Sequence, residues 1–354
     1  MPAEENKDLP SVSDKQLNSS GLLGALSDDE VDSVVNEYEQ IYESGEERRK
    51  ETYQKFVNHY YNLATDFYEF GWGNSFHFAP RRRGESFKAS LLRHQHFIAD
   101  QMSLKPGMHI LDVGCGVGGP MVELARYSGA NFVGLNNNEY QIKRAKEITQ
   151  AEGIKSLCRF IHGDYMQIPE DNDSFDGAFA IESMPHAPDK TAAFREIMRV
   201  LRPGACFGGY DWCVTELFDS QNTEHRRIVR DIEIGNALPR ISTTTGVYEA
   251  LCEAGFEVLD ARDLASASNS DIPWYRPLQG RDITLRSIPR TPAGRAITNL
   301  VLRIGERVRL FPKGARMVST ILNRAADAIV KGGETGTFTT VYYFLARKPN
   351  HSNS

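Results

Sequence analysis

Apolar residues recur at two different spacings along the chain, and the change of spacing outlines its organisation. Near the N-terminus they recur every three or four positions, which predicts amphipathic helices over residues 31–41 and 56–67. The sequence SDDE at residues 27–30 is typical of a capping box before the first helix. Residues 1–26 are largely polar, and we expect them to form a disordered tail.

From about residue 108 to residue 264 the pattern changes to short apolar strands that alternate with amphipathic helices. The six strand sequences are HILDV, NFVGLN, CRFI, FDGAFAI, CFGGYDW and FEVLDARDL. Such alternation is produced by right-handed βαβ units, which build a mostly parallel sheet. Residues 273–336 are mainly helical, and residues 337–348 supply a strand that closes the same sheet. The predicted fold is α/β and Rossmann-like, with a mostly parallel seven-stranded sheet and helices on both faces.

An aromatic segment, YEFGWGNSFHF at residues 68–78, follows the second predicted helix. Its Phe, Tyr and Trp rings occupy even positions, so in an extended chain they would share one face. These rings are Tyr68, Phe70, Trp72, Phe76 and Phe78. The residues alone leave two interpretations open: a buried strand, or an aromatic wall for a large apolar or cationic guest.

A glycine-rich loop, LDVGCGVGGP at residues 111–120, lies between a predicted strand and a predicted helix. It matches the G-x-G-x-x-G pattern, which on its own is weak evidence of a dinucleotide site. Asp112 stands two residues before the first glycine, where a carboxylate suits an ammonium-bearing ligand better than a pyrophosphate. Asn136 ends the second strand, and its amide can bond a ribose diol. Asp164 follows the third strand and can accept a hydrogen bond from an adenine amino group.

The order of these features is typical of a class I S-adenosylmethionine-dependent methyltransferase, with a nicotinamide-dependent enzyme as the alternative. Glu182 ends the fourth strand and Asp211 the fifth, at the carboxyl edge where ligands bind in such sheets. His186 follows Glu182 by one helical turn. It could relay or accept a proton near neutral pH, or it could only cap or orient its neighbours.

Composition and charge restrict the partners. The chain has 354 residues and a net charge of −6, which gives no reason to expect a nucleic-acid partner. Its five cysteines form no C-x-x-C pair, a pattern that suits a reducing, cytosol-facing environment. No stretch approaches the roughly 18 to 20 apolar residues that a membrane span requires, so we expect any membrane contact to be peripheral.

Longer segments resemble one family, the sterol 24-C-methyltransferases, from about residue 53 to residue 349. The most specific of them are YEFGWGNSFHF, GLNNNEYQI and the HAP of AIESMPHAP. The resemblance implies S-adenosylmethionine as cofactor and a sterol as substrate, without a metal. The implied reaction is a step of sterol biosynthesis. It adds a methyl group to carbon 24 of a side-chain alkene, passes through a carbocation and ends with proton loss.

The resemblance also divides the chain into regions. Between the tails at 1–26 and 350–354 we expect N-terminal helices with the aromatic sterol segment at 27–100, the S-adenosylmethionine-binding core at 101–272, and the family's C-terminal region at 273–349. A helical insertion before the last strand belongs to the C-terminal region.

Roles for individual residues are implied in the same way. The expected cofactor-binding residues are Asp112, Gly114, Gly116, Gly118, Asn136, Asn137, Gln141, Gly163, Asp164 and Tyr165. The expected sterol-binding residues are Tyr68, Phe70, Trp72, Phe76, Phe78, Glu85, Trp212 and Glu233. The expected catalytic residues are Glu182, His186, Asp211 and Tyr68. Aromatic rings suit this site because they stabilise a transient cation without offering a nucleophile. Glu85 and Glu233 are candidates for anchoring the sterol 3-hydroxyl, with plain surface roles as the alternative.

Several positions depart from the family pattern. Phe70 lacks the phenol hydroxyl of the usual YEYGWG, Asp211 shortens the glutamate of the usual YEW, and Asn236 replaces the acid of GDGIP. These changes leave the cofactor motif intact and bear on which substrate is preferred. Two alternatives stay open: a methyltransferase for another terpenoid or small molecule, and a non-catalytic sterol-binding homologue.

Residues 292–311 are predicted to form an amphipathic helix. Its apolar side consists of Ile297, Leu300, Val301, Ile304, Val308 and Phe311, and its cations are Arg295, Arg303, Arg307 and Arg309. Because sterols barely dissolve in water, we expect this helix to cover the sterol entrance. It would contact the endoplasmic reticulum membrane or a lipid droplet from the cytosolic side. The alternative is a helix packed on its own domain or on another subunit of a homo-oligomer.

Overall fold

The computed structural model describes residues 25–26, 28–267, 272–281, 291–308 and 315–350. The two expected tails lie largely outside these ranges, as does Ser27 of the capping box. Arg309 and Phe311 of the predicted amphipathic helix also lie outside the described residues. The side chain of Phe70 lies outside the description as well, although the backbone of its helix is described.

In the part of the chain that the structure describes, four helices precede the sheet. They are α1 (Asp28–Glu43), α2 (Glu46–Glu51), α3 (Tyr53–Trp72) and α4 (Phe87–Gln101). The apolar stripes of α1 and α3 face each other, with Val31 and Val35 buried against Leu63. Both predicted N-terminal helices are therefore confirmed, and the second extends further than its stripe indicated.

The aromatic segment does not form one extended strand, so that interpretation is wrong. Instead α3 continues through Trp72 and ends at Gly73, whose φ of 81° suits glycine. Tyr68 and Trp72 are one helical turn apart and share a face. Phe76 and Phe78 follow in an irregular stretch. The rings therefore reach a common site from a helix and a loop.

The described residues contain eight strands, which form a single sheet. They are β1 (His109–Val113), β2 (Asn131–Asn136), β3 (Cys158–His162), β4 (Phe175–Ile181), β5 (Leu201–Val214), β6 (Ser242–Thr243), β7 (Glu257–Asp263) and β8 (Phe338–Arg347). Their order is β3-β2-β1-β4-β5-β8-β7, and the two-residue β6 pairs with β5 beside this path. Strands β1 to β5 pair in parallel, whereas β8 runs antiparallel between β5 and β7. The predicted mostly parallel sheet of seven strands is confirmed, with β6 as a short addition.

Helices cover both faces of this sheet. The connecting helices are α5 (Gly119–Ser128), α6 (Glu139–Ala151), α7 (Lys190–Val200), α8 (Thr223–Gly235), α9 (Thr244–Glu253) and α10 (Leu264–Ala267). Short 3-10 helices span Lys155–Leu157, Met184–His186 and Arg276–Gln279. Successive side chains of β1 point to opposite faces, so Ile110 packs with α4 and α5 while Leu111 packs with α7 and α9. Each face therefore has its own apolar core.

Before β8 the described chain forms two further helices, α11 (Pro292–Arg307) and α12 (Ala315–Thr335). They are the helical insertion that the sequence predicts before the last strand. α12 packs closely on α8 at Gly235, where a Cβ atom would lie only 2.2 Å from the Cβ of Ala325. Glycine at this position therefore lets the two backbones approach. None of the helices that the structure describes combines the length and the apolarity needed to cross a membrane.

Candidate active site

Two cavities lie beside the carboxyl ends of the parallel strands, the edge where ligands bind in sheets of this kind. The small cavity has a volume of about 80 Å³ and lies against the glycine-rich loop after β1. The large cavity has a volume of about 490 Å³ and is lined mainly by aromatic and aliphatic side chains from α3, α11, α12 and the segment after α3. Each cavity has a distinct chemical character.

Asp112 gives the small cavity a buried carboxyl group with an unpartnered oxygen. The residue is 3% exposed, and its Oδ2 has no hydrogen-bond partner among the described residues. Burial deprives the carboxylate of water and raises the pKa of Asp112 well above its usual value. An unpartnered buried acceptor is unfavourable, and an ammonium group in the cavity would satisfy it. Asp112 therefore fits the amino end of S-adenosylmethionine.

Glycines let the backbone close tightly around the small cavity. Gly114 has a φ of 80°, and a Cβ atom there would lie 2.4 Å from the Cβ of Ser183. Gly119 begins α5, and a Cβ atom there would lie 2.0 Å from the backbone oxygen of Asn74. Side chains are excluded at both positions. The segment after α3 therefore rests directly on the glycine-rich loop, which couples the aromatic region to the cofactor region.

Polar side chains after β2 continue the wall of the small cavity. The Asn136 amide donates to Gln141 Oε1 at 2.9 Å, and the Gln141 amide donates to the Thr65 hydroxyl at 3.2 Å. The structure thus brings most of the predicted cofactor residues to one cavity. Those that line it are Asp112, Gly114, Gly116, Asn136, Asn137, Gln141 and Tyr165.

Three predicted cofactor residues do not line this cavity. Gly118 is the N-cap of α5, with a φ of 81°, and Gly163 follows β3. The carboxylate of Asp164 accepts hydrogen bonds from the Tyr53 hydroxyl and the Gln54 amide. Asp164 is the residue predicted to accept a hydrogen bond from adenine, and in this structure it accepts hydrogen bonds from the first turn of α3 instead.

Aromatic rings form much of the large cavity. They belong to Tyr60, Tyr61, Phe67, Tyr68, Trp72, Phe76, Phe78 and Trp212. Trp72 and Phe78 meet edge to face with ring centroids 5.5 Å apart, and Phe78 is tilted against Trp212 at 6.1 Å. Such rings present electron-rich faces, which favour a cation in a site without water.

Five residues line both cavities and form the wall between them. They are Tyr61, Phe76, His77, Glu182 and His186. Glu182 comes directly after β4 and has a φ of 56°, a value that is uncommon for non-glycine residues and is often found at functional sites. Its carboxylate accepts the Phe78 N–H at 2.7 Å and the Trp212 Nε1–H at 2.8 Å. Burial raises the pKa of Glu182 well above its usual value, and these two donors oppose that shift.

His186 is bonded through both of its ring nitrogens. Its Nδ1 lies 3.3 Å from the Ala237 carbonyl oxygen, and its Nε2 lies 2.9 Å from the Tyr61 hydroxyl. Because a carbonyl only accepts, Nδ1 carries the proton and Nε2 accepts from Tyr61. Burial lowers the pKa of His186 to about 4, so the ring is neutral at physiological pH.

Three predicted acids lie away from both cavities. Asp211 is fully buried, and its Oδ2 lies 2.5 Å from Lys190 Nζ. Glu85 pairs with Arg93 at 2.8 Å, and Glu233 accepts a backbone hydrogen bond at 3.0 Å. Their carboxylates are engaged within the protein, so the structure does not bring them to either cavity.

Tyr61 lines the site without belonging to any of the motifs. Helical spacing could have found it, because a helix that continues to Trp72 places Tyr61, Tyr68 and Trp72 on one face. Ser319 and Asn323, one turn apart on α12, also line the large cavity. No sequence signal placed these two residues near the aromatic segment, since the contact depends on how α12 packs.

Known proteins share this architecture. A family model described as a methyltransferase domain matches residues 111–207, which include the glycine-rich loop. The solved structure of a mycolic acid cyclopropane synthase complexed with SAH and CTAB superposes with a TM-score of 0.63. It is 18% identical and covers 82% of this chain and 97% of its own, a likeness that shows the fold alone. Fold and domain match together define a class I S-adenosylmethionine-dependent methyltransferase.

Longer matches give the family. A model described as the sterol methyltransferase C-terminal region matches residues 285–350. Cycloartenol-C-24-methyltransferase 1 of Oryza sativa subsp. japonica is 48% identical over 334 residues, or 94% of this chain and 96% of that one. A sterol 24-C-methyltransferase of Yarrowia lipolytica is 42% identical over 320 residues, or 88% and 84%. The chain belongs to the sterol 24-C-methyltransferase family.

Proposed function

We propose that this enzyme methylates carbon 24 of a sterol side-chain alkene and then removes a proton from the new methyl carbon. The observation that carries the proposal is the shared wall. A small cavity with an unpartnered carboxylate adjoins a large aromatic cavity through five common residues. S-adenosylmethionine, when bound, supplies a methyl group already activated as a sulfonium, so a neutral alkene suffices as acceptor.

The aromatic cavity suits a reaction that passes through a carbocation. Addition of a methyl group to an alkene leaves a carbocation, which water or an exposed nucleophile would capture. The rings of Tyr68, Trp72, Phe76 and Phe78 offer electron-rich faces, each worth about 0.5 to 2 kcal/mol toward a cation. Glu182 adds two carboxylate oxygens held in place by N–H donors. These groups stabilise positive charge that develops only in the reaction.

The size and polarity of the large cavity support a sterol as its guest. Its volume of about 490 Å³ falls within the roughly 300 to 1,000 Å³ of pockets for drug-sized ligands. Its polar lining includes Ser319 and Asn323 on α12, and the Ser319 hydroxyl donates to Asn299 Oδ1 at 3.1 Å. We assign these α12 side chains to the single sterol hydroxyl. The side-chain alkene then lies at the shared wall.

We also propose that α11 contacts a lipid surface. The exposed apolar side chains of α11 and of the residue that follows it are between 49% and 61% exposed; they are Ile297, Leu300, Val301, Ile304 and Val308. Ile297 and Val301 also line the large cavity, so the cavity and the exposed apolar face are continuous. Arg303 and Arg307 are exposed on the same helix and suit an anionic interface. This arrangement supports a peripheral, cytosol-facing location at the endoplasmic reticulum membrane or a lipid droplet.

Incubation with labelled S-adenosylmethionine and a panel of sterols that differ only in the side-chain double bond tests the reaction. We expect label in sterols with a double bond at carbon 24 and none in the saturated analogues. Transfer only to a non-sterol terpenoid would favour a different acceptor class. Tight sterol binding without transfer would identify a non-catalytic homologue.

A further inference from the structure

The wall between the cavities contains a hydrogen-bonded pair, Tyr61 and His186. Tyr61 lies on α3, and His186 ends the 3-10 helix after β4. Their Oη and Nε2 atoms are 2.9 Å apart, and the tyrosine is the donor because Nδ1 of the ring faces the Ala237 carbonyl. Both side chains line both cavities. The pair therefore stands where the transferred methyl group must arrive.

Other polar groups in the wall are held in place by hydrogen bonds of their own. The two Glu182 oxygens accept the Phe78 N–H and the Trp212 Nε1–H. The ring nitrogens of His77 lie 3.0 Å from the Phe78 carbonyl oxygen and 2.7 Å from the Gln95 amide nitrogen. Tyr61, by contrast, donates one hydrogen bond, and no described residue donates to its phenol oxygen. That oxygen can accept a proton while it gives up its own.

We propose that Tyr61 takes the proton from the sterol cation and passes its own hydroxyl proton to Nε2 of His186. The inference rests on the proposed function. After methyl addition the cation lies at carbon 25, and a hydride moves from carbon 24 to carbon 25 with its electron pair, which leaves the cation at carbon 24. A C–H bond of the new methyl carbon then breaks, and its electron pair forms the double bond to carbon 24. An O–H bond forms at Tyr61 as the old one breaks, and an N–H bond forms at Nε2. The positive charge passes to the imidazolium, whose Nδ1–H stays bonded to Ala237.

The chemistry of a carbocation makes a weak base sufficient. A C–H bond beside a cationic carbon is strongly acidic, so even a nitrogen whose pKa is lowered to about 4 accepts the proton readily. A neutral pair also avoids repelling the cation before the transfer. The phenol oxygen is a poor nucleophile, which limits capture of the cation by the enzyme itself.

The test compares product ratios in Tyr61→Phe and His186→Gln. The first removes the acceptor oxygen, and the second keeps a hydrogen-bond acceptor that cannot take the proton. We expect the ratio of methylene product to water-captured alcohols and isomeric alkenes to fall by about 10- to 100-fold in both variants. A trideuteromethyl donor should increase the diversion, because a C–D bond must then break. The ratio does not depend on how much of a variant is folded.

A matched control is Tyr38→Phe, which removes another buried hydroxyl that donates to a backbone carbonyl and lines neither cavity. Its product ratio should stay within about twofold of wild type. An unchanged ratio in Tyr61→Phe, or a slower reaction at constant ratio, would overturn the proposal. A changed ratio in His186→Gln alone would also overturn it, because His186 would then act directly. Failure of the proposed function itself would appear earlier, as absence of methyl transfer by the wild type.

Discussion

The two cavities offer different chemical groups to a positive charge. The small cavity presents the buried carboxylate of Asp112 on a backbone fixed by glycines. It therefore suits a charge that its ligand carries permanently. The large cavity presents rings, which suit a charge that exists only during the reaction. Changes in the small cavity should therefore affect affinity, whereas changes in the large cavity should affect turnover.

The largest effect on stability is expected at a buried ion pair, Asp211 with Lys190, that lines neither cavity. Asp211→Asn leaves the charge of Lys190 uncompensated, since the two side chains are 0% and 9% exposed. We expect unfolding free energy to fall by about 3 to 5 kcal/mol in urea titrations, as is typical when one partner of a buried pair is removed.

A double variant shows whether this ion pair contributes only to stability or also to the reaction. The combined variant Asp211→Leu, Lys190→Met removes both charges and should recover most of the lost stability. It should also recover turnover, because Asp211 does not line either cavity. A stable double variant without activity would show that Asp211 takes part in the reaction after all.

The next largest effect concerns the small cavity. Asp112→Ala should weaken S-adenosylmethionine binding by about 2 to 5 kcal/mol, as for a lost partner of a buried charge pair, and leave sterol binding unchanged. Calorimetry measures both. The matched control is Asp176→Ala on the neighbouring β4, whose carboxylate pairs with Arg202. Equal S-adenosylmethionine affinity in folded Asp112→Ala and wild type would contradict the assignment.

The raised pKa of Asp112 adds a pH dependence with a definite sign. The folded, ligand-free protein holds this proton more tightly than the unfolded chain. Its stability should therefore fall as pH rises from the usual carboxyl range through the raised pKa. S-adenosylmethionine affinity should change in the opposite direction, because the ammonium group pairs with the carboxylate. Both dependences should disappear in Asp112→Asn, which thermal melts and calorimetry across pH would show.

The small cavity could largely be predicted from the sequence, because residues that are close together in the chain form much of it. A glycine-rich loop between a strand and a helix fixes both the backbone and the position of Asp112. The sheet could be predicted for a similar reason, since each strand has its own apolar run. Asp164 shows the limit: the hydrogen bonds that engage it come from α3, far away in the chain.

The large cavity could be predicted only in part, because distant helices assemble it. The even spacing of the aromatic segment fits a period of two, which makes a buried strand one of its two interpretations. Tyr68, Trp72 and Phe76, however, also recur every four residues, which fits a helix. The correct helix would have added Tyr61. The contribution of α12 depends on its contact with Gly235, which no local pattern reveals.

A smaller effect is expected in the aromatic wall. Trp72→Leu keeps an apolar side chain but removes the electron-rich face, worth about 0.5 to 2 kcal/mol toward a cation. Turnover should fall more than sterol affinity, because the ring matters most when the substrate is charged. Separate measurement of kcat and of sterol binding by fluorescence checks this. Equal losses would indicate that Trp72 only packs against its neighbours Phe78 and Phe87.

The smallest effect on chemistry is expected on α11. The double variant Ile304→Glu, Val308→Glu places charges on side chains that are 53% and 57% exposed and that do not line the large cavity. With detergent-dispersed sterol, kcat should match wild type. With sterol supplied in anionic liposomes, both flotation with the vesicles and turnover should fall, because the apolar contact with lipid is lost.

A control variant tests whether charges on any exposed apolar side chains would have the same effect as charges on α11. Leu217→Glu, Leu259→Glu changes two apolar side chains that are 66% and 42% exposed and lie away from α11. This control should float like wild type, because neither side chain belongs to the exposed apolar face that continues into the large cavity. If the α11 variant floats equally well, sterol enters by another route. If it instead changes the subunit number in sedimentation, the face joins two copies of the chain.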